Sequence, residues 1–167
     1  MPARMPAFLT DLVTDLMTAL RRTLAAAAVA ALGALPAAAQ TEAQPRLDAI
    51  TLQAGMYNIH AEVARTPLQQ QTGLMFRREM AAHEGMLFVF DQPGPRCFWM
   101  RNTPLPLTIA YIADDGSIVD LIDMQPLSEQ SHCSSRPVRY ALEMNQGWFA
   151  KRGIKPGFRL RGAPFNS

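Results

Sequence analysis

Long apolar runs, charge and cysteine are all in short supply in this sequence, and each shortage excludes something. A bilayer-spanning helix needs ~20 consecutive apolar residues, and the apolar stretch from Leu24 to Leu35 falls well short of that. Charged residues make up 18% of the 167 and balance to a formal +2, with the arginines scattered rather than clustered. No basic block stands out, so neither a nucleic-acid footprint nor polybasic membrane attachment is indicated. Cysteine occurs only as Cys97 and Cys133, which allows one disulfide and no more. What is plentiful is apolar surface: hydrophobic residues reach 49%, enough for a buried core and too much for wholesale disorder.

The N-terminal residues read as an export signal. Arg21-Arg22 precede the apolar stretch Leu24 to Leu35, and Pro36 with Ala37-Ala38-Ala39 follows. A positive patch, a short apolar run and small residues at the cleavage position make a secretory leader. Residues 1–39 are therefore expected to be a signal peptide cut after Ala39, with translation starting at Met1 or Met17. A periplasmic or secreted domain without a membrane span is expected to remain. An oxidising compartment permits a Cys97–Cys133 disulfide, worth roughly 3–4 kcal/mol in the chain-entropy description. Two separate buried thiols are the alternative.

Beyond the leader, polar residues 40–48 read as a flexible tether and residues 49–167 as one globular domain. Ile50–Gln53 and Met56–Val63 have strand character, the second with Tyr57, Ile59, Ala61 and Val63 on one face. Thr66 can cap a helix with Pro67 at its first position and Gln69 completing a capping box, and Gly73 is placed to stop it. Met86–Phe90, Arg96–Arg101, Leu107–Ala113, Ser117–Met124, Arg139–Met144 and Phe158–Arg161 follow as strands. Asp91–Pro95 and Asp114-Asp115-Gly116 read as turns, Gln125–Pro137 as a long polar loop and Gly147–Arg152 as a helical turn. The bulky stretch Arg96–Arg101 is expected to be a central strand buried on both faces, with Cys97 and Trp99 on one side and Phe98 and Met100 on the other. About seven strands with one short helix predict a mainly β fold, either a β-sandwich or a partial barrel.

Several separated motifs occur in a recognisable order. They are Arg65-Thr66-Pro67, Gly73-Leu74-Met75-Phe76-Arg77, Gly85-Met86-Leu87-Phe88-Val89-Phe90 and Phe98-Trp99-Met100-Arg101-Asn102-Thr103. Pro106-Leu107, Asp115-Gly116, Tyr140-Ala141-Leu142-Glu143, Gly147 and Gly153-Ile154-Lys155-Pro156-Gly157 continue the set. Together they resemble the bacterial and archaeal family catalogued as domain of unknown function 192, over roughly residues 50–162. The resemblance implies a small exported or membrane-tethered, mainly β domain with no assigned activity. Phe158 departs from the acidic residue often found there in the family, and Arg101 stands where lysine is common.

Polar and aromatic residues at strand ends supply the candidate chemistry. Trp99, Arg101, Asn102, Thr103, Asp123, Glu143 and Trp148 are taken as a binding site for a small polar ligand or an envelope protein partner. The site is expected where Asn102-Thr103, the loop 125–137 and the Trp148 turn meet. The structural alternative is that Asn102 and Thr103 satisfy turn backbone and Glu143 pairs with Arg139 across a strand. A rival from another class is an envelope glycan or ester hydrolase, with Asp123 and Glu143 as the carboxyl pair such chemistry needs. Copper binding through Met and His is a third reading. However, Met75, Met80, Met86, Met100, Met124 and Met144 are spread through apolar runs without metal-ligand spacing. A nucleophilic Cys97 or Cys133 beside His132 lacks any local signature, and no cofactor is indicated.

Overall fold

A computed structural model describes residues 41–165. The leader expected over residues 1–39 lies outside the described residues. The elements run β1 (Ala49–Ala54), β2 (Tyr57–Ala64), α1 (Pro67–Thr72), β3 (Glu84–Gly94), β4 (Cys97–Phe98) and β5 (Leu107–Ile112). They continue with β6 (Ile118–Met124), β7 (His132–Cys133), β8 (Val138–Asn145) and a 3-10 turn at Ala150–Arg152. Among the described residues no helix is long and apolar enough to cross a membrane.

Six strands form one sheet in the order β1-β2-β3-β8-β5-β6, and β4 pairs with β7 in a separate two-stranded ribbon. All neighbours are antiparallel except β2 and β3. A parallel pair needs a crossover rather than a tight turn, usually through a helix. Here α1 and the chain after it make that crossover. A six-residue helix is marginal by itself, so its ends are fastened. Gln69 N–H donates to Thr66 Oγ1 at 3.2 Å while Gln69 Oε1 accepts from Thr66 N–H at 3.0 Å, completing the capping box. Gly73, at φ 50°, closes the helix by donating its N–H to Gln69 O. Gln70 Nε2 donates to Val89 O at 2.7 Å, which ties the helix to β3.

The sheet buries apolar residues on both faces. One cluster gathers Leu52, Ile59, Leu87, Ile112, Leu142 and Trp148; the other gathers Leu74, Met86, Phe88, Met100, Ile109 and Tyr111. Residues after Ile154 close the first cluster by hydrogen-bonding to both edge strands. Arg161 exchanges backbone hydrogen bonds with Gln53 of β1, while Gly157 and Leu160 donate to Ile118 O and Gly116 O at β6. A sheet whose two edges share one bridging segment is a partial barrel rather than a sandwich. The mainly β fold with one short helix is thus the architecture adopted.

Two buried carboxylates sit in this framework. Glu62 accepts from Arg46 Nη1 at 2.8 Å, Arg77 Nη2 at 2.9 Å and Leu47 N–H at 2.8 Å. With Gln44 Nε2 donating to Gly73 O at 2.8 Å, these contacts fasten the second half of the segment read as a tether onto β2 and α1. Glu143 is the other.

The stretch 96–101 differs most from expectation. Only Cys97 and Phe98 are in a strand, on the ribbon and not in the sheet, and Trp99 is 44% exposed. Its one pairing partner is β7, and past Phe98 only Met100 N–H finds a backbone acceptor there, Ser128 O at 2.8 Å. Bulk here therefore roofs the sheet instead of being buried on both sides. β3 runs on through the residues read as a turn, Asp91 to Gly94, with a register shift against β8 between Val89 and Gly94.

Cys97 and Cys133 are disulfide-bonded and directly opposite in the ribbon. The bridge spans a sequence separation of 36, and a loop of that size contributes about 4 kcal/mol in the chain-entropy description. Replacing both cysteines by serine is expected to lower urea-derived unfolding stability by ~2–4 kcal/mol. A loss within experimental error would show that the ribbon holds without its staple.

Candidate functional site

The site begins with alternation on β8. Tyr140, Leu142 and Met144 enter one core cluster, so Ala141 and Glu143 face the other side of the sheet. Glu143 pairs across the ladders with Met86 of β3 and Ile109 of β5, and Ile109 pairs with Ile122 of β6. Directly opposed residues share a face, so this carboxyl sits in a row of apolar side chains. It is 4% exposed and has no hydrogen-bond or ion-pair partner among the described residues. Desolvation, with nothing opposing it, raises its pKa from 4.5 to about 8. Tyr111, whose hydroxyl donates to His132 O at 2.6 Å, is pushed up in turn by burial, then by Glu143 and Asp120. It therefore stays protonated.

Glu143 opens onto a cavity of about 330 Å3. The C-terminal end of α1 forms one side, and the aromatic residues of β3 and the ribbon form the others. Phe98 is the hub of that wall, with ring centroids 4.8 Å from Phe88, 6.4 Å from Phe90 and 6.0 Å from Tyr111. Arg96 lies at the cavity with its guanidinium 3.9 Å above the Phe90 ring. Thr103 is buried at the cavity, its hydroxyl donating to Arg101 O at 3.3 Å. Among the lining residues Glu143 is the sole carboxylate.

Thr103 is held there by unusual backbone. Among the described residues three that are not glycine have left-handed φ: Phe76 at 62°, Asn102 at 57° and Leu127 at 60°. Such conformations persist only where the surroundings enforce them. Here Phe76 N–H donates to Asn102 O at 2.7 Å and Leu127 N–H to Thr103 O at 3.0 Å. The three line a second, shallower depression together with Pro104 and Arg78.

The sequence-derived candidates thus separate. Trp99, Thr103 and Glu143 meet at the cavity. Arg101 lies outside it, 4.3 Å over the Trp99 ring and ion-paired with Glu129 at 2.9 Å. Asn102 lines the second depression instead. Trp148 does not join them: it is 3% exposed in the cluster on the opposite face, beneath the Arg152 guanidinium at 4.2 Å. Asp123 pairs with Thr108, which pairs with Met144, so it projects from the face opposite Glu143. It accepts from Thr108 Oγ1 at 2.5 Å and is exposed. The carboxyl pair required for the hydrolase reading is therefore split by the sheet. Arg139 donates to Asp91 O at 2.8 Å, so it does not pair with Glu143. No group of three His, Cys, Asp or Glu that could hold a metal occurs among the described residues. Phe88, Phe90, Arg96 and Phe98 were not among the candidates. The period-two repeat of Phe88 and Phe90 beside Phe98 was the available signal.

A family model described as DUF192, an uncharacterized ACR, matches residues 50–162. The chain is 41% identical to a protein of Sinorhizobium meliloti 1021, provisionally named a transcription regulator, whose crystal structure superposes with a TM-score of 0.64 over 68% of this chain and 91% of that one. It is 33% identical to a Novosphingobium aromaticivorans protein of unknown function, with a TM-score of 0.67 over 78% and 99% of the respective chains. No curated protein matches.

The Glu143 environment fixes how stability follows pH. Between pH 4.5 and about 8 the folded chain keeps a proton that the unfolded chain has lost. Stability therefore falls as pH rises through that window. Glutamine at this position does not titrate. Glu143→Gln is expected to be near neutral at pH 4.5 and stabilising by ~2–4 kcal/mol above pH 8 in urea unfolding. An equal effect at both pH values would mean that the carboxyl is compensated.

Proposed function

Because the chain belongs to the DUF192 family, whose description assigns no activity, we propose on its own geometry that it is a non-catalytic binding module of the cell envelope. It takes a small ligand into the Glu143 cavity. The observation that carries this reading is a buried carboxyl that has no partner among the described residues and faces an open cavity. A buried charge without compensation is costly, and such groups concentrate where a ligand completes the site. The cavity volume of about 330 Å3 lies at the small end of ligand pockets, ~300–1,000 Å3. Its aromatic walls suit a slender apolar body, and Glu143 suits a hydrogen-bond-donating head.

Catalysis draws no support, since the cavity has one carboxylate and no second acid or base to share a proton with it. Nor does a nucleic-acid role: α1, Pro-Leu-Gln-Gln-Gln-Thr, carries no basic side chain to lie against phosphates. Export is supported by the leader pattern before Gln40 and by a disulfide suited to an oxidising compartment.

The test is thermal unfolding of the purified chain with n-hexylamine, since a ligand of the native state raises its melting temperature. A rise is expected in the wild type and not in Glu143→Leu. Binding a cation requires ionised Glu143, so affinity should increase about tenfold per pH unit from pH 6 towards 8. Tyr111 stays protonated across that range. No shift with the amine, or the same shift in Glu143→Leu, contradicts the reading.

A further inference from the structure

We infer that the ligand of this cavity is a linear amphoteric molecule, with a cationic amine at Glu143 and an anionic group at Arg96. The inference rests on the binding reading above and specifies the chemistry of the ligand's far end.

Arg96 is the second uncompensated charge at the cavity. Four of the arginines among the described residues, Arg46, Arg77, Arg101 and Arg159, have carboxylate partners. Arg96 has none, and it is not free to look for one. Its Nη2 donates to Gln92 O at 2.6 Å, its guanidinium is stacked on Phe90, and its backbone N–H donates to Ser134 Oγ at 3.1 Å. Gly94 lies against it, where a Cβ would come within 3.5 Å of Nη2. The head group is thus pinned, while its buried Nε has no hydrogen-bond partner among the described residues. A fixed guanidinium with a spare donor is suited to a carboxylate or another oxyanion.

Glu143 and Arg96 line the same cavity yet form no ion pair with each other. The sheet register explains why. Glu143 is opposite Met86, whereas Arg96 is stacked over Phe90, four residues further along β3. Four residues of strand extend about 13 Å, more than either side chain closes. The two charges therefore call for a ligand whose ionic groups are at opposite ends of a chain. An α-amino acid, with both groups on one carbon, does not reach. Phe88, Phe98 and Leu74 supply the apolar wall between the two ends. An ω-amino acid has the required order of cation, methylene chain and anion.

Isothermal titration at pH 8 separates this inference from the reading beneath it. The probes are 4-aminobutyrate, 6-aminohexanoate and 8-aminooctanoate, each with the alkylamine and the alkanoate of the same length. At least one amino acid is expected to bind tenfold or more tighter than its matched amine and its matched acid. In Arg96→Gln that advantage over the amine should fall to about one, and Arg96→Lys should restore part of it. Melting curves of both variants report whether each is folded. Amines binding as tightly as all three amino acids would overturn the amphoteric ligand and leave the Glu143 cavity standing. Absence of binding by every probe would overturn both.

Discussion

A sheet covered on both faces gives the polar side chains of its inner strands little water to fall back on. Every carboxylate that faces inward must be met by the protein or left for something else to meet. This chain shows both outcomes. Glu62 receives two arginines and a backbone N–H, and in return it fastens residues 44–47 and the loop after α1 to the sheet. Removing one partner from such a buried pair typically costs ~3–5 kcal/mol, so Glu62 is explained by structure alone. Glu143 receives no partner among the described residues, although it is as deeply buried.

The rest of the architecture follows from covering the Glu143 face. α1 lies there because the parallel pairing of β2 and β3 demands a crossover, and its capping box lets six residues hold together as a helix. The ribbon of β4 and β7 supplies the aromatic roof, stapled by Cys97–Cys133 and anchored to β5 through the Tyr111 hydroxyl. Left-handed Asn102 turns the chain out of the ribbon so that Thr103 reaches the cavity. What these elements enclose is an apolar-walled space with a carboxyl at one end and a pinned guanidinium at the other. Among the described residues neither group meets a partner of opposite charge, and the proposed ligand rests on that.

Local features were legible in the residues, and long-range ones were not. The Thr66–Gln69 box, the Gly73 stop, the Asp-Asp-Gly turn and the alternation of β2 and β8 depend on near neighbours, and all are present. Alternation on β8 put Tyr140, Leu142 and Met144 inward, which leaves Glu143 facing away from that core. It is buried because the helix at Pro67–Thr72 and the ribbon at Cys97–Phe98, both distant in the chain, cover the second face. No periodicity within β8 carries that information. The same gap explains Trp148: its parity relative to β8 passes through the Gly147 turn, and the structure sends it to the opposite cluster. Bulk alone places Trp99 and Cys97 in the core, but a two-residue ribbon strand leaves both exposed. Nothing in the sequence neighbours of Arg96 predicts that it lacks an acid.

The central claim is that Glu143 is a carboxyl the protein leaves uncompensated. An NMR titration that follows the Glu143 side-chain carboxyl carbon in the ligand-free protein tests this most directly. A midpoint near pH 8 is predicted. A midpoint in the ordinary carboxylate range would show that water or a protein group already satisfies it, and the cavity would lose its claim to be a binding site.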